Sequence, residues 1–176
     1  QIKAGINAAG RMSHAAIALD LLTHLEGDLA AAVAAELSEL NRKRQQTQRE
    51  IQIEASQMIK DNALDDSSNR CVVLHQDDWA RGVVGICAGQ LVNQINRPII
   101  MLATEGDHYV GSARSIPEYS ILEGLHACET LLVTYGGHAA AAGLTVHRDN
   151  YEAFVAAITD NANATISEDA LVPSLN

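Results

Sequence analysis

Two short segments carry side chains that could hold an anion. Gly111-Ser112-Ala113-Arg114-Ser115 puts a hydroxyl and a guanidinium two positions apart. On a β-strand such residues face the same way, so Ser112 and Arg114 would stand side by side between small neighbours. Arginine can bond two phosphate oxygens at once, which suits a phosphate clamp; a plain solvated strand face fits the same residues. In Tyr135-Gly136-Gly137-His138, followed by four alanines and Gly143, two glycines let backbone N–H groups converge on an anion. His138 adds a side-chain donor there. The same glycines could simply stop a helix, and the alanines could simply pack tightly.

Two weaker candidates accompany them. Arg11 ends the Gly/Ala-rich stretch QIKAGINAAGRM over 1–12, read as a loop before a helix whose N-terminus would favour a phosphate. Arg42-Lys43-Arg44, with Arg49, could follow a nucleic-acid backbone, or could form a solvated helix face paired with Glu39 and Glu50. Nothing suggests a metal centre. The pairs Asp65-Asp66 and Asp77-Asp78 have no converging partners in sequence and read as turn and cap residues. Cys71, Cys87 and Cys128 lie far apart among apolar neighbours, as buried thiols of a reducing cytoplasm do. No Ser/His/Asp or Cys/His arrangement stands out.

The elements that must hold these residues follow from patterning. Ser13 can cap a helix over about 13–23, with Ile17, Leu21 and Leu22 on one face. A helix over about 28–62 contains no proline or internal glycine, and would span roughly 50 Å. Its ends are apolar, while its middle, NRKRQQTQRE, has no apolar residue. That pattern suits a bridge between two bodies. A polar linker, 63–69, leads into a strand at 71–74, a helix over 83–95 and an apolar strand at 98–103. This βαβ crossover predicts two parallel, central strands. A third strand is expected at 109–116. Ser120 and Glu123 form a capping box for a helix to about Val133, stopped by Gly136-Gly137. A strand at 141–147 and a helix from Asp149 to about Ala162 complete the pattern. The fold class expected is therefore α/β: a small mixed sheet with a parallel βαβ core and flanking helices, preceded by a long bridging helix.

The bulk numbers are permissive. At 176 residues, with 47% hydrophobic and 19% charged residues, the chain can build a packed core. Aromatics are only 3%, so that core must be aliphatic. No run approaches the length of a membrane span. The net charge of −10 opposes general nucleic-acid binding, yet allows one narrow basic channel.

Three motifs occur in order: INAAGRM at 6–12, GSARSIP at 111–117 and YGGHAAAAGLTV at 135–146. Together they resemble the RecJ family of single-strand-specific 5′-to-3′ DNA exonucleases, within the DHH phosphoesterases. DDWARGVVGICAGQL at 77–91 and NRPIIMLATEGD at 96–107 look like the family's connecting pieces. The family often has histidine after the tryptophan, where this chain has Ala80, and glycine where Ala113 stands.

The resemblance implies four regions. Residues 1–26 would be the end of a metal-binding DHH lobe, and 27–69 a connecting helix and linker. Residues 70–164 would be the DHH-associated nucleic-acid-binding domain, and 165–176 a tail toward an OB-fold domain. It implies that Arg11, Ser112 and Arg114 recognise a 5′-phosphate. His138 would be catalytic, contacting with the Gly136-Gly137 backbone the phosphate near the cleavage point. Manganese or magnesium would be bound by the other lobe, with no metal ligand here, so this chain alone would be inactive. The partners implied are 5′-phosphorylated single-stranded DNA and single-strand-binding protein, without a membrane, in a cytoplasmic DNA repair and recombination enzyme. Two alternatives stay open: a DHH phosphodiesterase on short oligonucleotides, cyclic dinucleotides or polyphosphate, and an inactive RecJ-like replication scaffold.

Overall fold

The structure, a computed structural model, describes residues 7, 8, 10 and 27–171. Arg11, the helix expected over 13–23 and the end of the tail lie outside the described residues. Asn7, Ala8 and Gly10 are helical where the sequence reading placed a loop; alanine's high helix propensity outweighs the glycine there. The chain divides into two compact units, Gln1–Glu50 and Ile51–Asn176.

The boundary falls within helix α1, Gly27–Asp61. In the first unit, several side chains of the polar stretch of α1 pair within the helix. Arg42 pairs with Glu39 at 2.8 Å, and Arg44 donates to Asn41 and Gln48. Glu50 accepts from Gln46. In the second unit, Ile51, Ala55 and Ile59 recur every four residues and are all buried, as an amphipathic helix face requires. The Trp79 indole donates to Glu54 at 2.7 Å, tying this end of α1 to the start of the next helix. None of the described helices is long and apolar enough to cross a membrane.

The second unit is built on a mixed sheet. Its strands are β1 (Val72–Gln76), β2 (Ile99–Glu105), β3 (His108–Arg114), β4 (Leu132–His138) and β5 (Ala141–His147), in the order β1-β2-β3-β5-β4. β1 and β2 are parallel, joined through helix α2 (Arg81–Ile95), and the other neighbours are antiparallel. The expected mixed sheet with a βαβ unit is thus present. β2 is central, with Ile99 through Ala103 buried on both faces. β1 is not central: it lies at the sheet's edge. Only Val72 and Leu74 of β1 are buried, and that alternation is the mark of a strand covered on one face.

α2 packs on β2 and β3 from one face through Val83, Val84, Cys87 and Leu91. Helices α3 (Ile121–Ala127) and α4 (Tyr151–Thr165) contribute Leu125, Phe154 and Ile158 to the core beside β4 and β5. The buried thiols match their sequence setting. Burial pushes Cys71 up to about 12 and Cys87 up to about 11, so neither forms a thiolate readily.

α3 is much shorter than the expected helix to Val133. Ser120 caps it as predicted, its hydroxyl accepting from the Glu123 N–H, but it ends at Ala127. A 3-10 turn, Glu129–Leu131, leads directly into β4. Leu132, Val133, Thr134 and Tyr135 are mostly β-branched or aromatic and favour a pleated strand. Gly136-Gly137 therefore lies inside a strand and stops no helix. The last helix also starts differently. Asp149 and Asn150 form a 3-10 turn whose Asp149 N–H is accepted by the His147 ring, and Asn150 makes no side-chain cap bond.

At the other end of the sheet, His75 is packed into a polar-aromatic knot. Its Nε2 lies 2.9 Å from the Thr104 hydroxyl, which in turn donates to Asp77. Its ring lies 3.9 Å from that of Tyr109 and 5.7 Å from that of Tyr151, with Arg148 over Tyr109. Burial lowers the His75 pKa from its ordinary value; Asp77 opposes this and Arg148 adds to it. The imidazole is neutral in both folded and unfolded chains above about pH 6.5. Below that the unfolded chain takes the proton first, so stability falls with pH until the lowered folded pKa is passed. A melting temperature that drops between pH 7 and pH 5, and drops less in His75→Phe, is the expected result. An NMR titration midpoint for His75 at or above 6.5 would contradict it.

Candidate phosphate-binding site

The antiparallel register assembles the two motifs into rungs. Arg114 is opposite Ala141, which is opposite His138. Ser112 is opposite Gly143, which is opposite Gly136. Directly opposed residues share a sheet face, and successive strands are about 4.8 Å apart. Arg114 and His138 are therefore roughly 10 Å apart across one alanine, with the Ser112 hydroxyl one rung below. The residues between, Ala141, Gly143 and Gly136, leave a floor with almost no side chains. The opposite faces of the same strands hold Ala113, Ala142 and Leu144 in the core.

Ties at one end hold the two motifs together. The Ser115 N–H donates to the Ala140 carbonyl and the Ile121 N–H to that of Ala139. The Ser115 hydroxyl donates to the Tyr119 carbonyl. The β4–β5 hairpin tip is thus stitched to the chain leaving β3. Arg114 is oriented from its own strand, its Nη1 donating to the Ala113 carbonyl at 2.8 Å.

α2 walls the other side. A Cβ placed on Gly85 would come within 2.9 Å of Ser112 Oγ and 3.2 Å of Arg114 Nη2, so the helix passes directly over these two side chains. A cavity of about 450 Å³ lies here, lined among others by Ser112, Gly136, Gly143 and Arg81. Arg114, Gly137 and His138 are not part of its lining; Arg114 and His138 form the rung at its end.

The glycines differ in what they do. A Cβ on Gly137 would meet the Ala141 carbonyl oxygen at 2.3 Å, and its φ of +153° also favours glycine. On Gly111 a Cβ would meet the Met101 carbonyl at 1.9 Å. Those two are required by the backbone. A Cβ on Gly136 would meet nothing within 4 Å, and one on Gly143 only the Gly111 carbonyl at 3.8 Å. Neither has a left-handed φ. Their smallness keeps open the space above the floor, the space a ligand would use.

Sequence reasoning singled out Ser112, Arg114, Gly136, Gly137 and His138, and the sheet brings all five to one end of β3 and β4. It did not single out Gly85 or Arg81. Gly85, set among the apolar residues Val83, Val84, Ile86 and Cys87, was the available signal of a close helix–strand approach; Arg81 had none. Among the described residues no group of three His, Cys, Asp or Glu side chains could hold a metal ion. They do not fit a divalent metal, and no step here is derived through one.

A five-stranded mixed sheet in this order, with helices on both sides, has known counterparts. The DHHA1 domain family matches residues 68–164, more than half of the chain, and the chain belongs to that family. Its relatives are RecJ proteins. It is 33% identical over 175 residues to the single-stranded-DNA-specific exonuclease RecJ of Bacillus subtilis strain 168, an alignment covering 98% of this chain and 22% of that one. A crystal structure of exonuclease RecJ bound to manganese superposes with a TM-score of 0.84 at 30% identity, covering 97% of this chain and 42% of that one. RecJ from Thermus thermophilus, in complex with Mn2+, gives 0.82 at 29% identity, covering 93% of this chain and 24% of that one. The chain thus spans about a fifth of the length of the Bacillus relative.

Proposed function

We propose that this chain is the substrate-gripping part of a metal-dependent 5′-to-3′ exonuclease on single-stranded DNA, acting in DNA repair and recombination. Ser112 and Arg114 bind the 5′-terminal phosphate. His138 and the Gly136-Gly137 backbone contact the phosphate at the cleavage point. The observation that carries this reading is the register. It sets a guanidinium, a hydroxyl and an imidazole around a floor of glycine and alanine that the fold itself does not require to be so small.

The chemistry these residues supply is positioning and charge neutralisation. A fixed guanidinium and fixed N–H donors hold the strand end and offset charge as it builds on the phosphate, with little reorganisation. The metal ligands of such an enzyme would lie outside the described residues. The acidic body is compatible with this role, because a terminal phosphate needs only one local cationic rung. Three buried cysteines, none of them in a disulfide, are in keeping with a reducing cytoplasm.

The test is fluorescence anisotropy with a 3′-labelled oligothymidine carrying either a 5′-phosphate or a 5′-hydroxyl. Tighter binding of the phosphate form, weakening as salt rises, is expected. Equal affinity for the two forms would remove the terminal-phosphate reading. The same chain, given manganese, is expected to release no nucleotides.

A further inference from the structure

The rungs do not stop at Ser112. The next is Val110, Thr145 and Thr134, and beyond it His108 faces His147, their rings 5.2 Å apart. A second cavity, about 390 Å³, lies over this stretch. It shares Arg81, Val110, Thr134 and Thr145 with the first, so the two form one trough along β3 and β5. Each rung advances two residues, about 7 Å. From Arg114 to Val110 the trough is therefore about 14 Å long, room for more than one nucleotide of a strand rising roughly 3.4 Å per stacked base.

Arg81 stands at the first turn of α2 and lines both cavities. Its Nη1 lies 2.8 Å from Glu105 Oε2, and both side chains are more than half exposed. Exposed pairs of this kind contribute little to stability, so the fold gives no strong reason for a cation here. An exposed pair is readily exchanged, and a phosphate offers the guanidinium an alternative partner that it can bond bidentately. Thr134 and Thr145 add hydroxyl donors on the same floor.

Resting on the terminal-phosphate reading, we propose that Arg81 binds an internal phosphate of the strand, exchanging Glu105 for it, and so sets a preference for 5′-phosphorylated oligonucleotides over a single nucleotide. Glu105 is the counter-ion that keeps this arginine in place while the trough is empty. Its own charge also opposes entry of a second phosphate.

The experiment titrates the chain with 5′-phosphorylated thymidine mono-, di- and trinucleotides, following amide shifts by NMR at two salt concentrations. Wild type should bind the trinucleotide several-fold more tightly than the mononucleotide, with a steeper salt dependence. Arg81→Ala should lose about fivefold for the trinucleotide and less than twofold for the mononucleotide, its salt slope falling by about 0.7. Glu105→Gln should tighten the trinucleotide about twofold. If the mononucleotide binds but Arg81→Ala leaves the length dependence unchanged, the role of Arg81 is overturned while the Ser112–Arg114 clamp stands. If the mononucleotide binds nowhere near Ser112 and Arg114, the clamp falls and this inference falls with it.

Discussion

Replacing Arg114 by alanine is expected to weaken binding of a 5′-phosphorylated single strand about ten- to hundredfold, and to leave binding of the 5′-hydroxyl strand nearly unchanged. The magnitude follows from the type of bond. Hydrogen bonds to a charged partner contribute about 1.5–3 kcal/mol each, and each 1.4 kcal/mol is about tenfold in affinity. Selectivity for the terminal phosphate should vanish, because Ser112 offers only a neutral hydroxyl. The fold should tolerate the change: Arg114 is only partly buried, and the β3–β5 ladder runs through its backbone. Anisotropy with the two oligonucleotides reads the effect, and a thermal melt of the variant checks the fold. Arg114→Lys should recover part of the affinity but not the full selectivity, since an ammonium cannot bond two oxygens in a plane. Retained selectivity in Arg114→Ala would place the phosphate elsewhere.

Four glycines at the site should separate into two kinds. Gly111→Ala drives a methyl into the Met101 carbonyl, and Gly137→Ala drives one into the Ala141 carbonyl. Both contacts are with backbone, which cannot rotate away, so strands must part. A loss of about 1–3 kcal/mol or more in stability is expected, together with loss of phosphate binding. Gly136→Ala and Gly143→Ala should behave oppositely. Their methyl groups enter open space, so stability should stay within about 0.5 kcal/mol of wild type. Phosphate binding should still fall severalfold, because the methyl groups rise from the floor the ligand uses. Denaturant titration alongside anisotropy distinguishes the two pairs. If Gly136→Ala and Gly143→Ala bind as wild type does, the floor is not where the strand lies.

Much of this protein was legible in its residues because the signals are local. The run Ile99-Ile100-Met101-Leu102-Ala103 is apolar at every position, which only a strand buried on both faces tolerates, and that is β2. The unbroken helical stretch that becomes α1, the Ser120 cap and the alternation that pairs Ser112 with Arg114 are likewise written within a few residues. The shared face of Ser112 and Arg114 was legible for the same reason: residues two apart on a strand point the same way.

What the tertiary structure decided is what no local window contains. Gly136-Gly137 reads locally as the end of a helix because glycines commonly follow one. It became strand because Leu132 to Tyr135 could pair with β5 and bury Leu144 and Val146 beneath. β1 reads as central because a crossover makes parallel partners, but a crossover does not say which strand takes the outside. That was settled when β3 turned back at Gly106, φ +61°, and filled the other side of β2. Most of all, the placing of Arg114 and His138 on one rung of one face depends on register. Those residues are 24 apart in the chain, and a slip of one residue in either ladder would have turned one of them into the core.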